Sequence, residues 1–212
     1  MDFIFEPSLA LYLPLYELDG ASFMSKDAYG HMVSVTGATW GLQGRGFDGL
    51  DDYGDCGLGD SLKITGAITI LAWVYPAPPH LQGAAGILNN ISGYQNSRLL
   101  IRDDGSLVAQ VVIAGNAQDV EFAALANNTW HHVAYRYDGA NEVWFGDGMK
   151  GADYAKTGSI NTGSNNVVFA WGHHTHAYYH FKGRIAEIRI YSRALTALEI
   201  ERDYLATKWR YR

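Results

Sequence analysis

The sequence predicts an all-β fold: a two-sheet antiparallel jelly-roll sandwich with a short C-terminal helix. Three observations carry this. Strand-like runs recur along nearly the whole chain, each bounded by Gly, Asn or Asp. No stretch before residue 196 shows the 3.6-residue apolar period of an amphipathic helix. Residues 181–205 then carry both periods in succession, strict alternation followed by a helix start.

In chain order, the first strand-like run spans residues 10–16. Residues 46–53 (GFDGLDDY) are compact and turn-rich. Residues 68–75 (ITILAWVY) read as a strand that ends at Pro76. Runs at 98–102 and 107–113 flank Asp104-Gly105, a two-residue hairpin signal. A run at 120–125 follows, then a hairpin of 129–137 and 142–145 around Asp138-Gly139, and a run at 167–172. In the last strand, Ala186, Ile188 and Ile190 are expected on one face, with Ile185, Glu187, Arg189 and Tyr191 on the other. Thr196 and Glu199 form a capping box, so a helix should start at Ala197 and run towards Lys208.

A chain of 212 residues with 48% hydrophobic content can bury a sizeable core, and β-sandwiches of this size occur as one unit, so we expect a single domain over 1–212. The net charge of −6, with no basic run longer than a pair, argues against nucleic acid as a partner. The apolar start of the chain is broken by Glu6, Pro7 and Pro14, which leaves it too short to span a membrane. It also lacks a signal peptide's positive n-region and cleavage site. Two origins fit: a virion or assembly component made in the cytoplasm, or a secreted protein whose signal has been removed. The single cysteine, Cys56, excludes an internal disulfide framework.

Five blocks in order, GFDGLDDY, ITILAWVYP, NTWHHVAYRYDG, EVWFGDG and FKGRIAEIRIYSRALTALEI, give the chain its resemblance to the laminin-G-like jelly roll of the concanavalin A-like lectin/glucanase superfamily. The resemblance spans roughly the whole chain. It implies two packed antiparallel sheets, a non-catalytic role in binding glycans or proteins, and often a calcium ion. The chain departs from the pattern at Ala186, where an acidic residue is usual, and at Asp147, where asparagine is usual before glycine.

No Glu-x-Asp-x-(x)-Glu strand of a retaining glucanase occurs, and no nucleophile elbow, so we expect no enzyme activity. Asp48, Asp51 and Asp52 are candidate calcium ligands, since calcium takes carboxylate and carbonyl oxygens. The competing reading, which we favour with Ala186 in the acidic position, is that they form turns and Asx caps. His174 and His176, with His173 and His180 nearby, suit zinc or nickel on an extended segment, against the plainer reading of a polar rim loop. His131 and His132 read as hydrogen-bonded structural residues, and Trp73, Trp130 and Trp144 as core. Tyr94, Gln95 and Asn96 in one loop, and Tyr178 and Tyr179 in another, are candidate ligand-binding residues, because flat rings and amides suit sugar recognition.

Two functions remain open on sequence grounds. The one we favour is a non-catalytic module that recognises a glycan, or a protein partner, through rim loops. The other is a component of a homo-oligomer or assembly lattice, such as a virion decoration or fibre protein.

Overall fold

The computed structural model describes residues 6–80, 83–89, 97–117, 119–122, 124–171 and 179–211. Two antiparallel sheets pack face to face, as expected. The first holds β1 (Leu9–Pro14), β4 (Thr39–Gly41), β5 (Gly44–Asp48), β7 (Ile68–Pro76), β13 (His131–Tyr137), β14 (Asn141–Gly146), β15 (Met149–Ala155) and β17 (Lys182–Tyr191). The second holds β2 (Ser22–Met24), β3 (Met32–Thr36), β6 (Tyr53–Asp55), β8 (Ala84–Asn89), β9 (Ser97–Arg102), β10 (Leu107–Ile113), β11 (Asn116–Ala117), β12 (Val120–Phe122) and β16 (Val168–Phe169). Their orders are β15-β14-β13-β7-β17-β5-β4, with β1 beside β17, and β11-β10-β9-β8-β16-β6-β3-β2, with β12 beside β10.

The core lies between the sheets, with Ile70, Val74, Val133, Tyr135, Ile185 and Ile188 from the first and Ile87, Leu99, Ile101, Val111 and Phe169 from the second. Each fully buried Leu, Ile or Phe contributes roughly 1.5–3 kcal/mol. Strand β7 is buried on both faces. Its even-numbered residues face this core, while Leu71 and Trp73 lie on the outer face beneath the C-terminal segment.

That segment is helix α1 (Ala197–Thr207), which starts where the capping box places it. The Glu199 amide donates to Thr196 Oγ1 at 3.2 Å, and the Thr196 amide donates to Glu199 Oε2 at 2.7 Å. Arg193, bonded to Glu199 Oε1 at 2.8 Å, lowers that carboxyl to about 2. Ile200 and Leu195 pack on Leu71, Ala134, Val143 and Phe145, closing a second apolar cluster outside the first sheet.

The strict alternation expected in the last strand is broken. Strand β17 pairs Ile185 with Val74 but Glu187 with Trp73, so Ala186 is an extra residue in a β-bulge. Ile185 therefore faces the inter-sheet core with Ile188 and Ile190, while Ala186 points to the other side, against Trp73 and Tyr211. Trp73 is likewise not a residue of the inter-sheet core. Its ring lies 4.4 Å from Tyr211 and 5.9 Å from Tyr204, and its Nε1 donates to Thr207 Oγ1 at 2.8 Å. Trp130, half-buried, joins this outer group 4.9 Å from Tyr211, whereas Trp144 belongs to the inter-sheet core as expected.

Two turns differ from or extend the sequence reading. The β9–β10 connection spans residues 103–106 rather than two residues. Asp104 Oδ1 accepts from the Ser106 amide at 2.8 Å, and Gly105 takes φ +84° where a Cβ would lie 2.0 Å from the Leu125 carbonyl. Asp147-Gly148 is a two-residue turn with φ of 50° and 80°, and its aspartate also organises a site on β13. Among the described residues, no helix is long and apolar enough to cross a membrane.

Candidate functional site

Strand β6 turns on Gly54, whose Cα lies over the Phe169 ring; a Cβ there would sit 2.0 Å from a ring atom. With Gly54 facing inwards, Tyr53 and Asp55 project from the outer face of the second sheet. Thr36 lies directly opposite Tyr53 and Ser34 opposite Asp55, both exposed. Ala170, left-handed at φ 60°, redirects the chain after β16 and brings Trp171 against Tyr53, with ring centroids 5.2 Å apart. His180 stacks on Trp171 at 5.4 Å with planes 5° apart. Its Nδ1 lies 3.1 Å from the Asp52 carbonyl, an acceptor only, so that nitrogen carries the proton.

Polar groups surround this platform. Asp55 accepts from the Gly57 amide at 2.7 Å and from Asn166 Nδ2 at 2.9 Å. Farther along the same face, register aligns Asn89, Arg98 and Gln110 across β8, β9 and β10. Arg98 meets both oxygens of Asp119, at 2.6 and 2.8 Å, and Gln110 Nε2 donates to the same carboxylate at 2.8 Å. The result is a half-buried aromatic pair with hydroxyls on one side, and a carboxylate and amide on the other.

Of the residues singled out from sequence, Tyr94, Gln95, Asn96, His174, His176 and Tyr178 lie outside the described residues. Tyr179 is half-buried and its carbonyl accepts from the Gly86 amide at 3.0 Å, which places it beside β8. Asp48, Asp51 and Asp52 do converge, with one carboxylate oxygen from each within 4.8 Å of the others. They also make turn bonds: Asp48 Oδ1 accepts from the Leu50 amide at 2.8 Å and Asp52 Oδ2 from the Asp48 amide at 2.9 Å. Burial raises the Asp52 pKa, with Asp48 and Asp51 adding to the effect. The three carboxylates could supply part of a calcium shell, while the turn bonds account for Asp48 and Asp52 without one.

His131 and His132 are hydrogen-bonded, as expected. His131 Nδ1 lies 2.8 Å from Asp147 Oδ2 and its Nε2 2.9 Å from the Ala126 carbonyl. Asp147 Oδ1 accepts from the His132 amide at 2.9 Å. Burial opposes the charge on both partners, yet these bonds outweigh it: the His131 pKa is raised and that of Asp147 lowered. The histidine's contribution is then complete below its ordinary value of 6.5 and is lost as pH rises through its raised one. The aspartate's contribution is present above 3.8 and is lost as pH falls through its lowered value. Both are in force between about pH 4 and 6.5. His80, lowered by burial, slopes the other way, so the test is a comparison of variants. Denaturant melts of His131→Asn should show its deficit against wild type shrinking from pH 6 to 8; a deficit independent of pH would contradict this.

One buried cluster was not visible in the sequence. Arg189 NH2 lies 2.5 Å from Oε1 of Glu187 on the same strand. Arg189 NH1 also bonds Asp203 of α1, and Asp203 Oδ2 lies 3.1 Å from His132 Nε2. The gap beside this group has no room for a water molecule. It ties the helix to the sheet and is closed to substrate.

A family model described as the concanavalin A-like lectin/glucanases superfamily matches residues 48–201. No curated protein matches the sequence significantly. Among solved structures, the binding domain of Paraclostridial Mosquitocidal Protein 1 is similar over 94% of this chain and 52% of its own length, at 14% identity and TM-score 0.74. The botulinum neurotoxin serotype G binding domain is similar over 93% and 51%, at 16% identity and TM-score 0.74. The binding domain of botulinum neurotoxin DC, solved in complex with SialylT, is similar over 94% and 51%, at 14% identity and TM-score 0.73. The chain thus spans about half the length of these binding domains, and the likeness is one of fold.

Proposed function

We propose, from the premise that this chain belongs to the concanavalin A-like lectin/glucanases superfamily, that it is a non-catalytic module that binds a glycan on the outer face of its second sheet. The Tyr53–Trp171 pair carries this reading. Two rings 5.2 Å apart, half-buried and tilted by 52°, offer apolar faces to the C–H side of a pyranose. Ser34, Thr36, Asp55 and Asn166 supply donors and acceptors for hydroxyls at the edges of those rings.

A binding role without catalysis agrees with how the carboxylates are used. Asp55 and Asp119 are engaged by neighbouring donors, and Glu187 and Asp203 are clamped by Arg189. Asp48, Asp51 and Asp52 do approach within 4.8 Å, but they sit in one turn, where Asp48 and Asp52 accept backbone amides, unlike the two carboxylates flanking a scissile bond that a retaining glycosidase needs. The solved neighbours are themselves binding domains, one of them in complex with SialylT, which favours the reading by analogy of fold.

A glycan array tests it. Wild-type protein should bind a defined set of glycans, and Tyr53→Ala or Trp171→Ala should weaken binding roughly tenfold or more, the scale of losing a stacked aromatic contact. Absence of binding across the array, or binding untouched by both variants, would refute the assignment.

A further inference from the structure

A second groove lies on the other sheet, where the β4–β5 hairpin forms the edge. Two adjoining pockets of about 560 and 540 Å³ share Thr39, Gly46 and Arg184. This is the size range of small-ligand sites. Register places Thr39, Gly46, Arg184 and Tyr75 side by side across β4, β5, β17 and β7 on the outer face. Gly46 makes the floor. Its φ is ordinary, and a Cβ there would meet only Thr39 Oγ1, at 3.1 Å, among close atoms, so the space above it is open because the side chain is missing.

Arg184 stands in this groove without an ionic partner among the described residues. Its guanidinium is held 5.9 Å above the Tyr75 ring, and Gln43 Oε1 is 3.5 Å from NH1. Trp40, 39% exposed, lines one pocket, and Asp48 and Lys182 line the far end of the other.

We propose that this groove is a separate saccharide site, selective for a sugar that bears a carboxylate, such as a uronic acid. The planar guanidinium matches a carboxylate in bidentate geometry, and its position over Tyr75 reduces what ordering it costs. Tyr75 presents apolar ring surface, while Thr39 and Gln43 reach hydroxyls. Asp48 and Lys182 at the opposite end offer an acceptor and a donor to the sugar's hydroxyls. The assignment does not depend on the Tyr53–Trp171 platform.

Calorimetric titration with tri-galacturonate, its methyl ester and triglutamate tests it. Wild type should bind tri-galacturonate and should lose at least about tenfold in affinity for the ester, which keeps the sugar and removes the charge. Arg184→Ala should lose a similar factor. Gly46→Gln, which fills the floor and leaves both charges in place, should do the same, while Tyr53→Ala should bind as wild type does. No binding by wild type, equal binding of the ester, or insensitivity to Arg184→Ala and Gly46→Gln would overturn the site. Equal binding of triglutamate would overturn its saccharide selectivity. Array binding that depends on Tyr53 would survive any of these failures, so the two sites stand or fall separately.

Discussion

Replacing Arg189 with alanine is expected to destabilise the protein by about 3–5 kcal/mol, the cost of leaving a buried charge without its partner. The guanidinium sits between Glu187 on its own strand and Asp203 on α1, and its face lies 4.8 Å from the Tyr12 ring. Burial pushes the Glu187 carboxyl up, and Arg189 is the main influence holding it down. Without Arg189, two carboxylates remain under the helix, with His132 the nearest compensating group. Urea denaturation at pH 7 measures the loss. It should shrink as pH falls and protonation removes the uncompensated charge. Joint replacement by Glu187→Leu, Arg189→Met and Asp203→Leu should cost less than the single change, because no orphaned charge is left behind. A loss under about 1 kcal/mol for Arg189→Ala would mean that the cluster is solvated and does not clamp the helix.

Gly44→Ala is expected to cost about 2–4 kcal/mol, from left-handed strain together with a backbone collision. Gly44 has φ +113°, and a Cβ there would lie 2.5 Å from both the Ala186 Cα and the Ile185 carbonyl oxygen. No rotamer change relieves contacts with main chain, so either the hairpin or the bulge must move. Gly66→Ala is the control: its Cβ would have nothing within 4 Å and its φ is ordinary. That change should be neutral or stabilise by up to about 1 kcal/mol through the unfolded chain. Equal effects at both positions would show that the β5–β17 approach is looser than described.

How far these features were legible in the sequence depends on the reach of the interactions behind them. The capping box at Thr196 and the Asp-Gly turn at 147–148 are local signals, and each falls where the pattern puts it. The bulge at Ala186 is not local. The run of Ile185, Ala186, Glu187 and Ile188 fits a regular strand as well as a bulged one. What decides is the partner strand β7, against which Glu187 rather than Ala186 takes the place opposite Trp73. The same shift moves the acidic position of the family pattern, here Ala186, out of the inter-sheet core and under Tyr211. Trp73 reads as core because its strand is apolar throughout; only the placement of the C-terminal segment shows that its face lies outside the sandwich.

The candidate site was legible only in outline. Rim aromatics and amides point to sugar recognition, but most of those residues lie outside the described part of the structure. The platform that is seen comes from β6 and β16, strands of three and two residues that are too short to show a period. Tyr-Gly-Asp at 53–55 is the one usable trace, since a glycine between two outward side chains marks a close approach from the other side. Trp171 and Asn166 reach Tyr53 and Asp55 only through the pairing of those short strands.

The central claim is that the outer face of the second sheet binds a glycan, and amide chemical-shift mapping tests it most directly. On titration with the strongest glycan from the array, shifts should concentrate at Ser34, Thr36, Tyr53, Asp55, Asn166 and Trp171. The helix face around Leu198 and Leu205 should stay unchanged. Shifts confined to the first sheet or the helix, or none at saturating glycan, would contradict it.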